Sequence, residues 1–197
     1  MKNKLSTKLN EYISNHLSVI EKTNKTISPK ILEIAKLISN VIKKGNKILI
    51  CGNGGSASDS QHIATEFMST LTQDTKRCPI PAIALTTDTS FLTAYSNDFN
   101  FDNNLFSRQV EGLGKKGDVL IGISTSGNSK NIINAIRTGN ALKLKTILFT
   151  GIDKNSNIKT DLTLNVQSNN TQHIQEAHIT FAHIIIEMIE FHLGYRK

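Results

Sequence analysis

From residue 47 onward, short apolar runs alternate with longer stretches in which apolar residues recur every three or four positions. The runs KILIC (47–51), AIALT (82–86), DVLIGIS (118–124), KTILFT (145–150) and DLTLNV (161–166) predict five strands. The middle ones are nearly all apolar, as strands covered on both faces must be. Between them the periodicity predicts helices over 57–71, 89–95, 102–113 and 129–142. Strand and helix in alternation predict an α/β fold: a three-layer, doubly wound, five-stranded parallel sheet with right-handed crossovers.

The two ends read differently. Residues 4–20 and 28–44 predict N-terminal helices, the second carrying Ile27, Ile31, Ile34, Leu37, Ile38 and Val41 on one stripe. Ser28-Pro29 predicts a fresh helix start, with serine as N-cap and proline in the first turn. Residues 172–193 predict a long, very apolar C-terminal helix. Its apolar residues cover more than one face, which predicts burial in an oligomer rather than packing on 28–44 alone. With no repeat or long linker, residues 1–197 read as a single domain: a helical segment at 1–46, then an α/β core and C-terminal helix at 47–197.

A net charge of +7 raises the question of nucleic acid until the charge is located. Residues 1–47 hold ten lysines and three glutamates; the remainder holds thirteen basic and thirteen acidic residues. The excess is spread over amphipathic helices without aromatic interleaving, which predicts a solvated helix face and no nucleic-acid partner. No run approaches the roughly 18 apolar residues of a membrane span, and the N-terminus lacks an apolar signal core. A cytoplasmic protein with no membrane partner is expected. Cys51 falls at a buried strand end and Cys78 in a loop before Pro79, with no metal-type pairing; both are expected to be free thiols.

Two loops fall at C-terminal strand ends, where open α/β sheets bind ligands. GNGGS at 52–56 lets backbone approach a ligand closely and starts a helix whose free N–H groups suit an anion or a hydroxyl-rich molecule. A tight strand-to-helix turn explains it equally well. It is not GxGxxG, and Asp74 lies in a polar loop, so no dinucleotide site is expected. GISTSGNS at 122–129 is more informative: Ser124, Thr125, Ser126 and Ser129 place four hydroxyls around Gly127 where a helix begins. Hydroxyls and helix N–H groups can surround a phosphate without lysine. Neither GxxxxGK[ST] nor GxSxG is present, which removes the P-loop and the nucleophile elbow.

His62 and Glu66 are four residues apart on the helix that GNGGS opens, hence on one face. That spacing suits two ligands of one metal, or an acid and a base sharing a substrate. The last helix adds Gln175, His178 and His183 among isoleucines, where desolvation keeps an imidazole neutral and able to ligate or exchange a proton.

The order CGNGGS, QHxxxE, Asn97-Asp98-Phe99, FSRQV, GDVLIGISTSGNS and HIQEAH…H resembles the phosphoheptose isomerases, or sedoheptulose 7-phosphate isomerases, of the sugar isomerase (SIS) fold group. The resemblance spans essentially the whole chain. It implies a cytoplasmic homotetramer with one zinc per subunit, which turns sedoheptulose 7-phosphate into D-glycero-D-manno-heptose 7-phosphate for nucleotide-activated heptoses of lipopolysaccharide or other glycans. It implies substrate contacts at Asn53, Gly54, Gly55, Glu66, Asn97, Asp98, Ser124, Thr125, Ser126, Ser129 and Gln175. The implied zinc ligands are His62, Glu66, Gln175 and His183, and the implied catalytic base and acid are Glu66 and His183. Where some members have Asp-Arg-Ile-Gln, this chain has Gln172-His173-Ile174-Gln175, so an acidic contact at 172 is lost. Gln175 and His183 are eight residues apart, about 12 Å of helix rise, so they either lean together or belong to sites shared between subunits. A rival reading is a binding protein like the replication-initiator-associating proteins, which share the fold but lack the glutamate and final histidine; both are present here. Sugar-phosphate-sensing regulators carry an added DNA-reading domain, for which 46 residues are too few.

Overall fold

The computed structural model describes residues 2–99, 103–152 and 158–196. In chain order the elements are α1 (Lys2–Lys43), β1 (Ile48–Gly52), α2 (Gly55–Met68), β2 (Ala82–Ala84), α3 (Thr89–Asp98), α4 (Leu105–Leu113), β3 (Val119–Ile123), α5 (Lys130–Ala141), β4 (Lys145–Thr150), β5 (Leu162–Asn165) and α6 (Thr171–His192). All five strands are parallel, in the order β2-β1-β3-β4-β5. The three-layer, doubly wound parallel sheet expected from the sequence is the fold observed.

Alternation along the strands divides the core. Ile48, Ile50, Val119, Ile121, Ile123, Ile147 and Phe149 face one way, packing with α1, α2 and α6. Leu49, Cys51, Leu120 and Leu148 face the other way, packing with Phe106 and Val110 of α4 and Ile132 and Ile136 of α5. Every residue of β1 and β3 is buried, so these strands need apolar side chains on both faces.

β1 and β3 are neighbours, with Gly52 paired to Ile123. From β1 the chain proceeds outward to β2, then crosses back to β3. The loops leaving β1 and β3 therefore part company above the sheet, and the crevice between them is the switch point of an open α/β fold. GNGGS and STSGNS are those two loops.

The N-terminal segment corrects one expectation. Instead of two helices with a start at Ser28, α1 is a single helix that passes through Pro29. Proline lacks the N–H that would bond the Lys25 carbonyl and costs about 3 kcal/mol within a helix. Ile27, Ile31 and Ile34 lie buried on either side of Pro29, each contributing about 1.5–3 kcal/mol, which offsets that cost. Ser28 does not cap: its hydroxyl donates to the Asn24 carbonyl at 2.7 Å. The polar stretch before it stays helical because Thr23 is buried and its hydroxyl oxygen accepts the Gln167 N–H at 2.9 Å.

Other boundaries move by a few residues at most, and position 102, where one helix was expected to begin, lies outside the described residues. Much of the apolar surface of α6 is covered within the chain by α1, α2 and the sheet. Cys51 is buried and Cys78 exposed, both as free thiols, and burial pushes the Cys51 thiol up to about 12. Among the described residues no helix is long and apolar enough to cross a membrane.

Candidate active site

The turn from β1 into α2 is shaped at Gly54, whose φ of 55° is left-handed backbone that favours glycine. Gly55 then opens α2 and serves a different need. A Cβ placed there would stand 2.5 Å from Gln175 Nε2, so the absent side chain lets the Gln175 amide of α6 lie on the first turn of α2. Eight residues further along α6, His183 meets His62, which is seven residues beyond Gly55. The two helices therefore run side by side in the same direction. Gln175 and His183 engage α2 at two levels, separated by about 12 Å of rise.

At the second level three groups converge. His62 Nε2 lies 3.3 Å from His183 Nε2 and 3.3 Å from Glu66 Oε1, and one ligand atom from each residue falls within 4.8 Å of the others. The His62 and His183 rings meet edge-on, with centroids 5.1 Å apart. His62 is half exposed and Glu66 partly exposed, so a small molecule can reach them. Tetrahedral zinc, with bonds of about 2.0–2.1 Å, separates its ligands by about 3.3 Å. Two imidazoles and a carboxylate at these spacings fit such an ion.

The end of α2 that carries Glu66 is held by Arg77, a residue the sequence reading did not single out. The Arg77 guanidinium donates to the Glu66 carbonyl at 2.6 Å and the Phe67 carbonyl at 2.9 Å, satisfying late carbonyls of the helix. Its Nε donates to Glu190 Oε1 at 2.8 Å, both side chains being fully buried, and Arg196 donates to the other Glu190 oxygen at 2.6 Å. Asp59, one turn before His62, was also missed. Burial pushes its carboxyl up to about 6, against the pull of His62, and its Oδ2 is a buried atom with no hydrogen-bond partner. Neither residue belongs to a local motif; Arg77 acts through a partner 113 positions away.

His178 is fully buried and faces β4, where its Nε2–H donates to the Thr150 carbonyl at 3.2 Å beside the Phe149 ring. Burial lowers its pKa to about 4, so it is neutral, as the sequence predicts for an imidazole in this helix.

In the β3–α5 loop the four hydroxyls divide. Ser124 is buried and donates to Ser129 Oγ at 2.9 Å, pinning the two ends of the loop together. Thr125 and Ser126 instead line a small cavity of about 200 Å³ that reaches Ser168, Asn169 and Thr171 at the start of α6. Asn53 of the neighbouring loop forms a reciprocal amide pair with Asn131 in the first turn of α5, at 2.9 and 2.8 Å. That pair ties the two switch-point loops together, and Asn131 is a further residue the motifs did not reveal.

Asn97 and Asp98 occupy the last turn of α3, bonded to one another at 3.1 Å. Asp98 lines a broad cavity of about 880 Å³ between α3, α4 and α5, whose walls include none of the other candidate residues. Within one chain the structure thus brings together His62, Glu66 and His183, sets Gln175 against Gly55, and joins the two loops through Asn53; it does not bring Asn97 and Asp98 to them.

Residues 11–151 match the SIS domain family. A phosphoheptose isomerase of Aliarcobacter butzleri is 49% identical over 181 residues, covering 91% of this chain and 94% of that protein. The structure of a phosphoheptose isomerase from Neisseria gonorrhoeae superposes with a TM-score of 0.87 at 38% identity, covering 95% of this chain and 99% of that one. One from Francisella tularensis gives 0.89 at 33% identity, over 94% and 97% of the two chains. With a relative matched almost end to end at this identity and the same fold behind it, the chain belongs to the phosphoheptose isomerase family of SIS-domain proteins.

Proposed function

We propose that the protein is an aldose–ketose isomerase that converts sedoheptulose 7-phosphate into D-glycero-D-manno-heptose 7-phosphate, supplying nucleotide-heptose synthesis in the cytoplasm. Family membership gives the reaction class. The observation that carries the assignment to residues is the meeting of Glu66 and His183, from α2 and α6, within one cluster of ligand atoms on the helix that the GNGGS loop opens. A binding protein of the replication-initiator-associating type has no need of that pair.

Moving the carbonyl from C2 to C1 requires removing a proton from C1 and returning one to C2 through a cis-enediolate. Glu66 takes the proton from C1 and returns it to C2, while His183 gives a proton to O2 and takes one from O1, so that the proton count closes. Arg77 fixes the turn that carries Glu66. Asn53, Gly54 and Gly55 form the floor under the sugar, with the Gln175 amide directing a hydroxyl or carbonyl. The phosphate sits among Thr125, Ser126 and the first turn of α5, in the loop that Ser124 and Ser129 close, so the distant end of the sugar is held in register. His62, Glu66 and His183 would hold a zinc ion that supplies Lewis acidity towards the sugar oxygens, whereas Gln175, a level away beside Gly55, would reach such an ion only if subunits share the site.

The assembly is a homotetramer. Leu5, Leu9, Ile13 and Leu17 recur every four residues on α1 and are 48–70% exposed, an apolar stripe that one chain leaves uncovered. Ile184 and Phe191 add exposed apolar surface on α6. Asn97 and Asp98 join the site by subunit contact, each site being shared. Incubating the purified protein with sedoheptulose 7-phosphate, with and without a chelator, tests the assignment: the aldose phosphate is expected without chelator, and its absence under both conditions would leave a binding protein.

A further inference from the structure

Where α1 crosses α6, a second group of metal-type ligands stands outside the site described above. His16 comes from α1, and His173 and Glu176 from the first turns of α6; one ligand atom from each lies within 4.8 Å of the others. Glu176 Oε2 is 2.8 Å from His16 Nδ1 and 3.2 Å from His173 Nδ1, the second contact being a hydrogen bond. The other carboxylate oxygen accepts the Tyr12 hydroxyl at 2.6 Å, which turns Oε2 towards the two imidazoles. Tyr12 also packs on the His173 ring, with centroids 4.6 Å apart.

One feature of this cluster is unsatisfied. His16 Nδ1 is a buried atom, and although it is close to Glu176 Oε2 its approach is not that of a hydrogen bond. A buried ring nitrogen left beside a carboxylate without bonding to it is costly to leave so. A cation between the three atoms resolves it, since each then donates a lone pair to the ion.

We propose that His16, His173 and Glu176 form a second divalent-metal site, which takes zinc or a similar borderline ion with two imidazoles, one carboxylate and a water. Two nitrogens and an oxygen are the donor set such ions prefer, whereas calcium and magnesium select oxygens alone. The Glu176 side chain is 40% exposed, so water can reach the cluster to complete the ligand set. Tyr12 is the outer-shell partner that orients the carboxylate. The ion clips the N-terminal half of α1 to α6, joining residues far apart in the chain and so closing a long loop. His173 is part of the Gln172-His173-Ile174-Gln175 stretch that departs from Asp-Arg-Ile-Gln, and the metal site gives that histidine a use.

Metal counting on the full-length protein tests this. After chelator treatment, cobalt(II) is added as the probe and bound metal is measured by elemental analysis and by its visible d–d absorption. The wild type is expected to hold about two ions per chain, one in each His/Glu cluster. His16→Gln and His173→Gln each lose one ion, His62→Gln loses the other, and the His16→Gln/His62→Gln double variant holds none. Tyr12→Phe, which leaves all ligands in place, weakens one of the two sites by about 10–100-fold. An ion retained by His62→Gln but lost from the double variant supports the site even if the active-site cluster binds no metal. Metal content in His16→Gln equal to wild type, or no ion at all in His62→Gln, overturns it.

Discussion

The contact between Gly55 and Gln175 offers a sharp separation of function from folding. In Gly55→Ala the new Cβ stands 2.5 Å from Nε2, 2.9 Å from Cδ and 3.0 Å from Oε1 of Gln175. Ordinary contact begins near 3.4 Å, so the amide must withdraw by about 1 Å. Folding tolerates this, because the displaced atoms are the end of a flexible side chain and Gly55 does not have positive φ. Alanine even favours the folded state by about 0.4–1 kcal/mol through the unfolded chain. Catalysis does not tolerate it: a 1 Å misplacement of a positioning group costs about 10²-fold. The expected result is a melting temperature equal to or above wild type with kcat/KM for sedoheptulose 7-phosphate lowered by about 10²-fold. Gln175→Ala should lose a similar factor, and the double variant should lose no more than either alone, since both act on one group. Wild-type kcat/KM in a normally folded Gly55→Ala protein would refute the role given to Gln175.

Three further outcomes follow from particular contacts. Arg77→Ala leaves Glu190 buried with one partner fewer and should cost about 3–5 kcal/mol, read as a lower urea midpoint; a loss under about 1 kcal/mol would show that the buried network does not hold this end of the fold. His178 is neutral in the fold with a pKa of about 4, against 6.5 for the ordinary side chain, so the unfolded chain binds more protons between these values. Stability from this residue is complete above about pH 6.5 and falls as pH drops towards 4, by about 3 kcal/mol at most; His178→Leu should flatten that slope, and an unchanged slope would contradict the assignment. Ser126→Ala should raise KM for the phosphorylated sugar by about tenfold with little change in kcat, as loss of a hydrogen bond to a charged group predicts; an unchanged KM would remove the loop from phosphate binding.

Most of the architecture is legible in the chain because it depends on local periodicity. Strands covered on both faces must be apolar throughout, and VLIGI and ILIC are. The same signal misleads at residues 21–28, where EKTNKTIS reads as a break. There the decisive facts are long-range: Thr23 receives the Gln167 N–H, and the isoleucines flanking Pro29 pack into the core. The site divides along the same line. His62 and Glu66 share a helix face and could be paired from spacing, but their meeting with His183 depends on α2 and α6 running in parallel, which no spacing encodes. Arg77, Asp59 and Asn131 carry no motif and gain their roles from burial and distant partners. The four hydroxyls of STSGNS look equivalent in sequence, yet Ser124 and Ser129 are turned to one another.

The proposed reaction depends above all on Glu66 as the base. Its most direct test is the turnover of sedoheptulose 7-phosphate to the aldose phosphate by the wild type and by Glu66→Gln, with substrate binding measured alongside. Product is expected from the wild type, and a rate lowered by about 10²–10⁴-fold in the variant, with binding of the phosphorylated sugar largely retained. Undiminished turnover by Glu66→Gln, or no aldose from the wild type, would contradict it.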